Sequence, residues 1–158
     1  QENQIVMFGK QVKVPRLEAY FSLNGENYGY SGQTLMNNPF PAFLEDLRQK
    51  IATITGMPYN ALLINYYRDG QDSNGWHADN EKSLGKNPSI ASLSLGAERI
   101  FELRHLESNK KIKLKLADGS LLHMHGALQH HWKHQLPKVK DLKAARINLT
   151  FRLILASS

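Results

Sequence analysis

A mainly β protein, an antiparallel sandwich or jelly roll with helical flanks, is the fold this sequence predicts. The prediction rests on one amphipathic helix in the first third of the chain, a succession of short β-patterned segments after it, and no repeat or linker dividing the sequence. The helix covers 39–55: Phe43, Leu44, Leu47, Ile51 and Ile54 recur at helical spacing, and Gly56 followed by Pro58 stops it. Strands are expected at 61–67, 89–95, 99–105, 110–116, 120–125 and 146–155. At 158 residues the chain is long enough to bury a core and is read as one domain over 1–158, with the helix and β core in 39–158.

Two of these strands alternate clearly. In Lys111-Ile112-Lys113-Leu114-Lys115-Leu116 the lysines share one face and the aliphatics the other, as a period of two requires. The lysine face is either solvated or a phosphate contact surface. In the last strand Ile147, Leu149, Phe151, Leu153 and Leu155 oppose Arg146, Asn148, Thr150 and Arg152. Two arginines and two hydrogen-bonding groups on one face fit either solvent or the wall of an anion pocket.

Composition narrows the function classes. The hydrophobic fraction of 41% and the charged fraction of 22% are ordinary for a globular domain. No apolar run approaches a bilayer span and no secretory leader pattern opens the sequence. No membrane partner is therefore expected, and an intracellular location is, cytoplasmic in a bacterium or nuclear in a eukaryote. With no cysteine, disulfides, thiolate metal sites and cysteine nucleophiles are excluded, so any metal must be held by His, Asp or Glu. The net charge of +6 favours a polyanionic partner, because cations that neutralise phosphates release counterions.

The chemistry-bearing cluster begins at His77-Ala78-Asp79. On an extended segment residues two apart point the same way, so imidazole and carboxylate can reach one ion. A third ligand is available from the stretch holding His123, His125, His130, His131 and His134. Two histidines and one carboxylate on one face of a metal leave open positions for a chelating cosubstrate and oxygen, the arrangement used by non-haem Fe(II) oxygenases.

The neighbouring sequence adds a resemblance. Asn65-Tyr66-Tyr67-Arg68-Asp69-Gly70, then Trp76-His77-Ala78-Asp79-Asn80-Glu81, then Pro88-Ser89-Ile90-Ala91-Ser92-Leu93-Ser94-Leu95-Gly96-Ala97 fall in order. Gly119-Ser120-Leu121-Leu122, His131-Trp132-Lys133-His134-Gln135-Leu136-Pro137 and Arg146-Ile147-Asn148-Leu149-Thr150-Phe151-Arg152 follow. Together they resemble the motifs of the AlkB family of Fe(II)/2-oxoglutarate-dependent nucleic-acid dealkylases, in the branch of the animal DNA and RNA repair enzymes, from about Met7 to Ile154. The resemblance implies a double-stranded β-helix core, Fe(II), 2-oxoglutarate and O2. It implies oxidative demethylation of 1-methyladenine and 3-methylcytosine in DNA, with release of formaldehyde, succinate and CO2. His77 and Asp79 match the first two iron ligands, and the third falls on His134, three residues before Pro137 and twelve before Arg146, with His131 as runner-up. Asn65, Tyr67, Arg146, Asn148 and Arg152 match the residues that hold 2-oxoglutarate, with Thr150 assisting. An arginine fork suits a carboxylate better than lysine does. Some ~20 Å of extended strand separates the α-carbons of Arg146 and Arg152, and Arg152 is favoured as the carboxylate clamp.

On the substrate side, 1–38 is read as a nucleotide-recognition segment. Tyr28 and Tyr30 match aromatic residues of the base pocket, Tyr30 pairing with the His77 ring around an extruded base. Ordinary core packing is the alternative for both tyrosines. Glu81 matches an acidic group that favours a cationic lesion, while Asn80 departs from the Asp usual there. Phe8, in Met7-Phe8-Gly9-Lys10, resembles a wedge that fills the gap left by a flipped base; a staple onto the core is the alternative. Arg16, Arg104, Lys138, Lys140 and Lys143 are candidate phosphate contacts, although Val139 and Asp141 interrupt the basic triplet of the duplex-specific members. The expected partner is DNA, single- or double-stranded, and the protein a monomer. RNA as the main substrate, or a noncatalytic nucleic-acid-binding module on the same fold, are the rival readings.

Overall fold

The computed structural model describes residues 2–7, 10–30 and 33–155, with side chains over 14–29 and 34–155. Phe8 and the side chain of Tyr30 lie outside the described residues. A hairpin of β1 (Glu2–Met7) and β2 (Lys10–Ser22) opens the chain. The short strands β3 (Tyr28–Tyr30), β4 (Gln33–Leu35) and β5 (Asn37–Asn38) precede α1 (Ala42–Thr55). Then follow β6 (Ala61–Tyr67), β7 (Asn74–His77), β8 (Ile90–Gly96), β9 (Arg99–His105), β10 (Lys111–Leu116) and β11 (Leu121–Met124). A single helical turn α2 (Leu128–His131) leads into β12 (Trp132–Leu136), and β13 (Arg146–Arg152) closes the fold.

The strands form a seven-stranded sheet in the order β1-β2-β6-β13-β8-β11, with β5 against β2, and a four-stranded sheet in the order β10-β9-β12-β7. This is the mainly β, jelly-roll type of architecture that the sequence predicts. All six expected strands are present, with ends shifted by up to three residues. The last one stops at Arg152, so Leu153 and Leu155 leave the ladder. The strands without a prior expectation are β1, β3, β4, β5, β7, β12 and β2, the last of which pairs with β6 along Leu17–Ser22 and brings the N-terminal segment into the larger sheet.

The helix begins three residues later than the expected start at 39. Pro41 sits at the N-cap in an extended conformation, and the residue before a proline is kept out of the α region, so helical geometry starts only at Ala42. Gly56 closes the other end at φ 72°, its N–H bonded to Ala52 O. Only Leu44 and Ile51 of the apolar set are fully buried, with Leu47 half-buried. Phe43 and Ile54, expected in the core, are 70% and 69% exposed at the edges of the stripe. The buried stripe packs with Tyr59, Leu62, Ala91, Leu149 and Phe151 on one face of the larger sheet. A fully buried side chain of that size contributes about 1.5–3 kcal/mol. The opposite face of β13, β8 and β6 lines a cleft together with β7 and β12 of the smaller sheet.

Candidate metal centre

His77 and His134 are direct cross-strand partners on β7 and β12, and opposed residues of an antiparallel pair bring their side chains together on one face. Their ring centroids are 4.3 Å apart. Asp79 lies two residues beyond His77, and donor atoms of His77, Asp79 and His134 all fall within 4.8 Å of one another. Among the described residues this is the one group of three such side chains that can share an ion. The His77 Nδ1–H donates to Gly75 O at 2.7 Å, since a carbonyl can only accept. That bond fixes the tautomer and leaves the Nε2 lone pair, 3.7 Å from Asp79 Oδ1 and accepting weakly from Asn74 Nδ2 at 3.4 Å, for a metal to take.

The protonation states suit a cation. Burial pushes the His134 imidazole down to about 4, helped by the neighbouring His77, so it is neutral without a proton having to leave. Burial lowers His77 as well. Burial alone would raise Asp79, but Arg152 and the two histidines overcome it and hold the carboxyl at about 2. Asp79 Oδ1 is buried and, among the described residues, accepts no hydrogen bond, a site that a bound cation satisfies. Two imidazoles and one carboxylate with such an unpartnered oxygen fit Fe(II).

The cleft beside the three ligands has a polar wall. Arg146, Asn148, Thr150 and Arg152 are all buried on the face of β13 turned towards it. The choice left open for this face, solvent or pocket, is decided for the pocket. Asn148 accepts from Ser92 Oγ at 2.7 Å and from Arg146 at 2.9 Å, and donates to Thr150 at 2.6 Å. Arg146 also donates to Ser94 Oγ and stands 5.4 Å from the centroid of the buried Tyr67 ring. The arginines part ways, as their spacing on the strand demands. Arg152 donates to Asp79 Oδ2 at 3.2 Å, whereas Arg146 Nε is buried without a hydrogen-bond partner among the described residues. Arg146 thus keeps a donor that a carboxylate can use, and Arg152, bonded to Asp79, lines the same cleft.

The family model for the 2OG-Fe(II) oxygenase superfamily matches residues 1–152. The chain belongs to that superfamily. Its relatives place this chain in the AlkB family. It is 42% identical over 98% of its length to the DNA oxidative demethylase ALKBH2 of Bos taurus, and 41% identical over 96% to that of Mus musculus. It is 44% identical over 89% of its length to the alpha-ketoglutarate-dependent dioxygenase alkB homolog 3 of Rattus norvegicus. The chain spans 59%, 67% and 50% of these three proteins. The solved structure of OsALKBH1 superposes with a TM-score of 0.59 at 20% identity, covering 76% of this chain and 66% of that one, a likeness of fold.

The other expected site residues are dispersed. Tyr28 is buried and stacked on Tyr20, ring centroids 5.2 Å apart, with Glu81 near its hydroxyl. Burial raises the Glu81 carboxyl, and the charge of Asp79 adds to the effect. Arg16, expected to meet phosphates, is instead 5% exposed and lines the cleft. It donates to Asn65 Oδ1 at 2.8 Å and pairs with Glu18 at 2.7 Å. A guanidinium so enclosed does not reach a backbone phosphate on the surface. Arg104 sits 4.8 Å over the Trp76 ring, and Lys138, Lys140 and Lys143 are exposed. His131 is exposed and stacks with His105, apart from the metal group. Ser92, Ser94, Phe101 against the His134 ring, and Gln129 on the Asp79 amide were not anticipated. The alternation Ser92-Leu93-Ser94 opposite Asn148 was the one available signal for the serines.

Proposed function

We propose that this chain is the catalytic part of an Fe(II)/2-oxoglutarate-dependent dioxygenase that demethylates alkylated bases, 1-methyladenine and 3-methylcytosine, in DNA inside the cell. The observation that carries the reading is the convergence of His77, Asp79 and His134 beside the buried Arg146 with its open Nε donor. Superfamily membership and the names of the relatives support it. When bound, iron with 2-oxoglutarate and O2 supplies the oxidation of the N-methyl group, which departs as formaldehyde with succinate and CO2 as coproducts.

The chain's own residues do the rest. His77 and His134 offer neutral imidazole nitrogens and Asp79 an ionised oxygen, a set of charge −1 that partly neutralises a divalent ion. Arg152, bonded to Asp79 Oδ2, keeps that carboxylate ionised and aimed. Arg146, set by Ser94 and Asn148, binds the 2-oxoglutarate carboxylate, with Tyr67 and Asn65 completing that end of the cleft. Phe101, Leu63, Met124 and Leu136 add apolar lining that keeps water from the reacting atoms. Glu81, its carboxyl raised by burial, faces a cationic base whose charge favours the ionised form. Lys138, Lys140 and Arg104 are the surface cations for the sugar-phosphate backbone.

The test is formaldehyde and succinate release from single-stranded DNA, duplex DNA and RNA carrying either lesion, with and without added ferrous ion. Iron-dependent release from DNA, lost in His134→Ala, is the expected result. Faster turnover of RNA would transfer the proposal to that substrate. No succinate from any alkylated strand would leave a noncatalytic binding module.

A further inference from the structure

Of the three metal-facing side chains, Asp79 is the one without a ladder to hold it. His77 and His134 are fixed as partners in the β7–β12 pair, but β7 ends at His77 and Asp79 follows in irregular chain. Its main-chain N–H, in a residue only 2% exposed, is bonded at 3.0 Å to the Oε1 of Gln129. Gln129 is itself 2% exposed, and its Nε2 reaches Met124 Sδ at 3.9 Å. It sits on the single turn α2, which runs directly into the strand bearing His134. A buried amide is costly to place, so its oxygen and nitrogen are expected to have partners, and here the oxygen's partner is the backbone of a metal-facing residue.

We infer that Gln129 is a positioning residue for the metal: it locks the Asp79 backbone and couples the segment carrying Asp79 to the turn that delivers His134. The inference rests on the metal site of the proposed function. Arg152 holds one carboxylate oxygen of Asp79, and Gln129 holds the main chain from which that carboxylate projects. Without the second hold the carboxylate pivots about Arg152, and the three donors no longer converge at one fixed geometry. Partners at this remove from a metal commonly change its affinity by 10- to 100-fold.

The experiment measures dissociation constants for Fe(II) and Co(II) under anaerobic conditions by calorimetry and by the visible absorption of the cobalt form. It compares the wild-type chain, Gln129→Met, which keeps length and bulk but removes the acceptor, and Gln129→Glu, which keeps an oxygen acceptor. Metal binding weakened about tenfold or more in Gln129→Met, with Gln129→Glu within about threefold of wild type, is the expected result. Equal affinity in Gln129→Met, or an equal fall in both variants, overturns the inference. Should Gln129→Met not fold, Gln129→Leu takes its place with the same criterion, and the thermal midpoint of each metal-free form separates loss of fold from loss of the site. A wild-type chain that binds neither ion sinks the proposed metal centre itself, a result distinct from failure of the Gln129 role.

Discussion

Strands β10 and β13 carry the same alternation and meet opposite surroundings. In β10 the lysines are exposed, and two of them touch only exposed or rim carboxylates, Lys113 on Glu102 at 3.3 Å and Lys115 on Glu98 at 3.0 Å. In β13 Arg146, Asn148, Thr150 and Arg152 are all less than a tenth exposed and bonded to one another, to serines of β8 and to Asp79. The difference is position in the sheets. β10 is an edge strand of the smaller sheet, whereas β13 lies between β6 and β8 with α1 over one face and the cleft on the other. Periodicity determines which side chains share a face; what covers that face is decided by strands far away in sequence.

The largest effect that tests this contrast is expected at Arg152. Arg152→Leu leaves the Asp79 carboxylate buried beside two histidines without its guanidinium. Breaking one side of a buried ion pair typically costs about 3–5 kcal/mol. Urea unfolding of the metal-free protein should show a midpoint lowered to match. An unchanged midpoint would mean that the polar face of β13 is no more buried in effect than that of β10.

Acid should act next, through His134 and Asp79 of the cleft. His134 is lowered from 6.5 to about 4, so its neutral form is favoured by folding. Its contribution is complete above pH 6.5 and is lost as pH falls through about 4. Asp79 is lowered from 3.8 to about 2, so its contribution is complete above 3.8 and is lost as pH falls through about 2. Metal-free stability should therefore decline continuously from pH 6.5 downward, by a few kcal/mol in all. His134→Gln should remove the upper part of that slope; a wild-type profile flat between pH 6.5 and 4 would count against a neutral buried imidazole.

Arg146→Lys comes third. It keeps the charge but loses the planar fork and the Nε donor that is unpartnered in the structure. A hydrogen bond to a charged group is worth about 1.5–3 kcal/mol, so 2-oxoglutarate affinity should fall by roughly 10- to 100-fold. Calorimetry with Mn(II) in place of iron reads this directly, and Mn(II) affinity itself should hold. If Arg152→Lys, and not Arg146→Lys, abolished 2-oxoglutarate binding while sparing the metal, the roles of the two arginines would be reversed.

The contrast also explains what could be read in advance. The helix was legible from its period, the six strands from short β-patterned segments that alternate clearly only in β10 and β13, and His77 with Asp79 because a spacing of two on extended chain is a local fact. The pairing of His77 with His134 depends on a register between β7 and β12, strands of four and five residues with no alternation strong enough to announce them. Arg16 was misplaced for a related reason. It was read as a phosphate contact, yet β2 runs beside β6 and turns it onto Asn65. Gln129 left no local mark at all, since its partner is 50 residues away.

The smallest expected effect lies on β10, and it tests whether its lysine face has any duty beyond solubility. Replacing Lys111, Lys113 and Lys115 together by Thr keeps β propensity and removes three charges. Exposed ion pairs contribute little, so the thermal midpoint should move by no more than about two degrees. Each lysine that neutralises a phosphate would contribute about 0.9 to the slope of log affinity against log salt on duplex DNA, and about 0.7 on a single strand. The triple variant should leave that slope unchanged, since Lys113 and Lys115 already face Glu102 and Glu98. Lys138→Ala with Lys140→Ala should lower it by between one and two. A slope reduced by two or more in the β10 variant would place the nucleic acid across the smaller sheet, and the edge strand would then have a binding face where this reading gives it only water.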